Sequence, residues 1–398
     1  MASPVLTGAV ERARRTETAI FLVHGLLFAS WAAHIPHVKA RLDMSNGTLG
    51  LALLGTPVGS VLAMVLAARL LPRLGSRRMV QVSLAGYCLT GPLVGLAGSV
   101  PALVAALFVW GAFQGTLDVS MNTQAIAVEA VAGRPLMNGL HAAWSIGAFA
   151  GAAIGALGVA VGVSLTSQLL VLGLLALAGM NRSTSALLSD ARRPRTTERG
   201  DPPEHGERMA GRVRPWSAVL LVLGAVALAS MLCEGAAADW ASVYLRDSLG
   251  AGVGVAGLGY TAFTLAMTGT RLGGNAMLRR VRPDRLLPGL ALLATAGFAG
   301  ALVVGTVAAT LAGFLCLGVG LATVVPTTFS AAGDVAGMHP GVSVATVSAF
   351  GWAGFVCGPP LIGQLASRYS LHTALWLLPV LTAFVAVMTG RRSGQSTA

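Results

Sequence analysis

Residues 135–181 contain no aspartate, glutamate, lysine or arginine, and neither do residues 286–333. A membrane-crossing helix takes about 20 mostly apolar residues to span roughly 30 Å of hydrocarbon. Each charge-free stretch is about two crossings long. Each also carries a glycine turn near its middle, Val161-Gly162-Val163 in one and Gly305-Thr306 in the other. Both therefore read as tight helical hairpins inside a bilayer. The rest of the chain agrees: 55% of residues are hydrophobic and 11% are charged. A soluble domain carries roughly 25% charge, so this chain has too little to cover a water-facing surface. The fold class is all-α and integral to a membrane.

Applied along the whole chain, the length criterion predicts twelve crossings. They fall near 18–38, 48–71, 79–98, 101–126, 136–160, 163–181, 216–245, 251–277, 286–304, 306–330, 341–366 and 371–390. The apolar run after Arg12, Arg14 and Arg15 is longer than a signal-peptide core and reads as the first span. Orientation follows from the basic residues, which are retained in cytoplasmic loops. Twenty-two arginines fall on the side of the termini, and only Lys39, Arg41, Arg246 and Arg368 on the other. Both termini are thus expected in the cytoplasm, in the cytoplasmic (inner) membrane. This placement also accounts for the net charge of +12 without any nucleic acid. Residues 182–215, rich in Pro, Gly and mixed charge, read as a cytoplasmic linker between a bundle at 1–181 and another at 216–398.

Several activities are excluded. Lys39 is the sole lysine and no glycine-rich loop precedes it, so there is no Walker A phosphate cradle. Neither a His-Glu-x-x-His nor a Gly-x-Ser-x-Gly motif occurs, which removes the usual zinc-protease and serine-hydrolase readings. Cys88, Cys233, Cys316 and Cys357 lie inside apolar runs and their spacing fits neither disulfides nor zinc. The sequence predicts no enzyme, no metal and no cofactor.

The two halves echo each other at offsets near 207–209 residues. Trp31-Ala32 pairs with Trp240-Ala241, SIGAFAGAAIG at 145–155 with GWAGFVCGPPLIG at 351–363, and the arginine-rich loop at 69–78 with that at 279–285. Repeats of six helices mark secondary transporters, which bind substrate near the midplane. The layout resembles the major facilitator superfamily, whose loop signature is Gly-x-x-x-Asp-Arg-x-Gly-Arg-Arg. Here Arg73, Gly75, Arg77 and Arg78 match it, while Pro72 stands in place of the acid. In the second half Arg271 and Gly274 fit, with Asn275 and Arg279 replacing acids. Leu117-Asp118-Val119-Ser120-Met121-Asn122 resembles the fourth helix of the fucose-permease-like branch. There, a carboxylate and an asparagine four residues on serve proton coupling and sugar binding. WAAHIPHVKARLDMSNGTLGLAL, GLHAAWSIG and CEGAAADWASVYLRD resemble a poorly characterised subgroup of that branch. The branch's first-helix acid has no counterpart at the matching place, where Ala32 or His34 stands.

An ionisable side chain inside a span is costly and faces a cavity or a partner. Asp118 recurs with Gln114 and Asn122 at helical spacing, which fits a proton-coupling acid or a structural hydrogen-bonded one. Asn138, His141 and Ser145, with Trp144 beside them, make a second stripe. These are candidates to bind a solute or, for His141, to carry a proton; packing roles are the alternative. Glu234 and Asp239 on span seven join the proton-coupling candidates, and Trp31 and His34 on span one the binding candidates. Arg271 reads either as part of the conformational loop or as a snorkelling structural cation.

The expected protein is a monomeric secondary active transporter in the lipid bilayer. It alternates access between two six-helix bundles and moves a small sugar-like or other polar solute, coupled to protons. The alternative is a proton-driven exporter of drugs or natural products. A non-transporting membrane sensor ranks below both.

Overall fold

The computed structural model describes residues 4–133, 136–180, 183–188, 218–280, 283–335 and 340–395. All of the linker except 183–188 lies outside the described residues, and so do the side chain of Asn138 and the surroundings of Gly274.

Helices occupy each of the twelve expected spans among the described residues. Span one runs as Pro4–Ser30, a short 3-10 turn Ala32–His34 and Ile35–Arg41. Span two is Asn46–Leu53 followed by Gly55–Leu74, span three Ser76–Leu96, span four Val100–Ala132, span five Met137–Ala160 and span six Leu165–Met180. Span seven is Ala218–Val243, span eight Val253–Arg280, span nine Pro283–Val304, and span ten Val307–Leu321 with Val324–Gly333. Pro340–Arg368 is span eleven, and Leu371–Leu375 with Leu377–Gln395 is span twelve. Nine of these stretches are long and apolar enough to cross a bilayer on their described residues. Leu165–Met180 is apolar but shorter, and spans eight and eleven are long but diluted by Gly, Thr, Ser and Pro. Leucines such as Leu62, Leu89 and Leu175 remain exposed on the outside, as lipid-facing positions should.

Both charge-free stretches are helical hairpins, turned at Gly162 (φ 77) and Gly305 (φ 64). Among the described residues, five of the six helices that start on the face away from the termini are opened by hydroxyl caps, Ser99 accepting from the Ala102 amide for span four, while span eight follows Gly252 instead. Ser45 accepts from the Thr48 amide, Ser164 from Ser167, Thr306 from Ala309 and Ser370 from Thr373. Each cap satisfies a backbone donor that the first helical turn leaves free. Glu129 does the same for span five, accepting from the amides of Leu136 and Met137.

The packing repeats from half to half. Span one packs on five as seven packs on eleven, two on four as eight on ten, and three on six as nine on twelve. Glycines let the backbones touch, as small residues do between membrane helices. A Cβ at Gly111 would collide with the Thr56 carbonyl, and one at Gly318 with the Phe263 carbonyl. Each member of the second pair lies 207 positions after its counterpart. Gly147 against Leu22 and Gly354 against Leu228 repeat the pattern between spans one and five and spans seven and eleven.

The halves meet through span five on eight and span two on eleven. Their contacts among the described residues lie level with the centre or toward the face away from the termini. Gly254 and Gly257 approach Ala160 and Ala156, and Gly50 approaches Pro359 and Gly363. Ser242 Oγ donates to the Ala32 carbonyl (2.7 Å), and the Gly47 amide donates to Ser367 Oγ (2.7 Å).

Candidate functional site

Beneath that seam lies a cavity of about 260 Å³, lined from spans one, two, four, five, seven, eight and eleven. Both halves therefore build it. Of the sequence candidates it gathers Trp31, Gln114, Asp118, His141, Trp144, Glu234, Asp239 and Arg271. With His24, which also lines it, three carboxylates, one guanidinium and two imidazoles share a single chamber.

Gln114 and Asp118 project inward from span four, one turn apart. Asn122 does not line the chamber: its amide donates to the Asp118 carbonyl (2.8 Å) and to Asp118 Oδ1 (3.2 Å). Its part is to hold the acid. Ser145 lies at the seam, donating to the His141 carbonyl (3.1 Å) and accepting from Arg271 Nη1 (3.1 Å). Its own carbonyl accepts from Thr268 Oγ1 (3.0 Å). His34 stays outside the chamber, its Nε2 bonded to Gln168 Oε1 (3.0 Å). The loop residues Arg73 and Arg78 are exposed, Arg77 half-buried, and Pro72 is exposed in the last turn of span two.

Arg271 reaches toward both halves. Its Nε donates to the Ala322 carbonyl (3.2 Å), whose helical partner four residues on would be Pro326, which has no N–H. Its Nη2 stands 4.0 Å from Glu234 Oε1, beyond hydrogen-bonding distance. Glu234 Oε1 is otherwise without a hydrogen bond.

Several lining residues were not singled out by the sequence argument. Phe21, His24 and Phe28 extend Trp31 into a continuous stripe on span one, and Trp110 and Trp352 add two further indoles. His24 Nδ1 accepts from Trp144 Nε1 (2.7 Å). An indole N–H only donates, so that ring nitrogen carries no proton. The bond fixes Trp144 against span one. The signal was present in the 3, 4, 3 spacing of residues 21, 24, 28 and 31, a helical stripe of rings around an imidazole. Glu17 was missed as well. It is fully buried in span one, and neither carboxylate oxygen has a hydrogen-bond partner among the described residues.

Two pseudo-symmetric six-helix bundles around a central chamber define the fold of a secondary transporter. The chain belongs to the Major Facilitator Superfamily, which it matches over residues 18–344. It is 34% identical over 369 residues to an uncharacterised MFS-type transporter of Yersinia pestis, covering 92% of each chain. Among solved structures it resembles a mutant form of the nucleoside transporter NupG, with a TM-score of 0.72, 13% identity and coverage of 96% and 99%. A D-xylose-proton symporter gives a TM-score of 0.71 at 12% identity, with coverage of 96% and 97%. The protein is a multi-pass membrane protein of a transporter family and not an enzyme.

Proposed function

We propose that the chain moves a small polar solute across the cytoplasmic membrane by alternating access, coupled to protons. The observation that carries this reading is the chamber between the halves, with Asp118, Glu234 and Asp239 in its wall and a seam on one side. The bundles at 1–181 and 216–398 act as the two rocking bodies, joined by 182–215. With the termini in the cytoplasm, the seam closes the outer side and the described state faces inward. Asp118 is the principal proton-carrying group, with Glu234, Asp239 and His141 in support. Gln114, Trp31 and Trp144 contact the solute. Asn122, Ser145, His34 and Asn138, first ranked with them, hold the walls instead or fall outside the described side chains. A fucose-permease-like ancestry supports a sugar-like solute. The volume supports a small one, since sites for drug-sized ligands run from roughly 300 to 1,000 Å³.

A second reading keeps its place on one observation. Seven aromatic rings line the chamber, at Phe21, Phe28, Trp31, Trp110, Trp144, Trp352 and Phe355, as suits an exporter of amphiphiles. Purified protein in liposomes separates the two. Pentoses, hexoses and nucleosides should accumulate under an imposed proton gradient and stop when it is dissipated. Gradient-driven extrusion of amphiphilic dyes with no movement of those solutes would replace the first reading by the second.

A further inference from the structure

The guanidinium of Arg271 has three directions of donation and uses two. Nε is taken by the Ala322 carbonyl and Nη1 by Ser145 Oγ, while Nη2 stops 4.0 Å short of Glu234. Two of these partners, Ala322 and Glu234, belong to the same half as Arg271. Ser145 belongs to the other half, and leaves with it when the seam opens. A hydrogen bond to a hydroxyl is weaker than one between a guanidinium and a carboxylate. The charged acceptor therefore waits at a distance that a small side-chain movement would close.

The geometry points to Arg271 as a switch that ties closure of the seam to the charge on Glu234. With Glu234 ionised, its pull on Arg271 competes with Ser145 and favours the open seam. With Glu234 neutral, the guanidinium stays on Ser145 and the seam holds. Arg271 is thus a positioning residue: it transmits the state of an acid in one half to a hydroxyl in the other. The inference rests on the alternating-access reading but not on any particular solute. The other titratable groups around the chamber are His24, Asp118, His141 and Asp239. Tyr260 lies within electrostatic reach of Glu234, Asp239 and Arg271.

Spin labels on either side of the seam test it. Val163→Cys and Gly252→Cys sit in the loops flanking spans five and eight, with Cys316 and Cys357 changed to serine to remove background labelling. A Lys39→Ala background keeps both distances populated. Glu234→Gln should raise the short-distance population at least about threefold, and Ser145→Ala should lower it. In an Arg271→Gln background Glu234→Gln should change nothing. Arg271→Lys, whose ammonium reaches one partner at a time, should shrink the effect and serves if the glutamine variant fails to fold. Asp239→Asn removes one charge from the same chamber and should shift the distances by less than Glu234→Gln does. No shift with Glu234→Gln, an equal shift without Arg271, or an equal shift from Asp239→Asn would overturn the inference. Liposome transport can fail in all of these variants without altering what the distances decide.

Discussion

Lys39, at the end of span one, forms an ion pair with Asp247, in the turn after span seven. The two side chains belong to different halves, 208 positions apart, and 15% and 35% of their surfaces are exposed. The sole lysine of the chain is thus spent on joining the halves at the edge of the membrane.

An exposed pair of this kind contributes about 0.2–1 kcal/mol and weakens with salt. Lys39→Ala or Asp247→Asn should therefore shift the seam toward its open form by less than about sixfold, with unchanged folded yield. The reversal Lys39→Asp with Asp247→Lys should restore most of the closed form. Distance measurements at low and high ionic strength check both.

Asp118→Asn retains the shape of the side chain while fixing its charge at zero. Gradient-driven accumulation should fall to background, while counterflow of solute across the same liposomes survives in part. A structural acid would give the opposite result: low folded yield and normal coupling in what remains. Normal accumulation at normal yield would transfer the coupling role to Glu234.

Glu17 presents a contrast. A buried carboxylate without a partner is heavily penalised when charged, and the structure offers it no hydrogen bond among the described residues. Glu17→Gln removes the ionisable group at nearly constant volume. The variant should unfold at an equal or higher temperature in detergent than the parent, where Asp118→Asn should not gain. A drop in the midpoint for Glu17→Gln would show that the carboxylate has a partner of its own.

His34 and Gln168 make a buried pair, 3% and 5% exposed. Gln168→Ala leaves the imidazole unsatisfied, at a cost of about 1–3 kcal/mol. The double change His34→Phe with Gln168→Leu removes both polar groups and should recover much of that loss. Transport by the double variant should persist. Its disappearance at normal stability would return His34 to the solute-binding set.

The spans were legible because hydrocarbon thickness fixes a length that a charge-free stretch either meets or misses. The same rule set the start of span one too late. Arg12, Arg14 and Arg15 were read as lying in the loop ahead of the span, yet the helix runs from Pro4 and pairs Glu11 with Arg14 and Arg15 across its surface. Side-chain stripes were legible over one step and drifted over two. A four-residue step overshoots a 3.6-residue turn by about 40°, so Asn122, two steps from Gln114, rotates away from the chamber that Gln114 and Asp118 face, while Ser145, one step beyond His141, is taken up by Arg271 at the seam. His34 was misplaced for a different reason: the 3-10 turn at Ala32–His34 changes the phase of span one. Pro36, in the first turn of the helix that follows, was the signal in the sequence for that break.

The glycines of the seam bear on speed as well as on fit. Where Gly50 meets Gly363 and Gly254 meets Ala160, the opposing surfaces are almost without side chains. Interdigitated leucines would have to leave their sockets before two bodies could roll apart, and that would raise an activation barrier. Bare backbone against bare backbone has little to disengage. The resistance to motion is then concentrated in a few polar links, Ser242 to Ala32, Gly47 to Ser367, Lys39 to Asp247, and Arg271 and Thr268 to Ser145, which can exchange for water as they part. Such a joint is quick, and bulkier residues along it would act first as a brake on turnover.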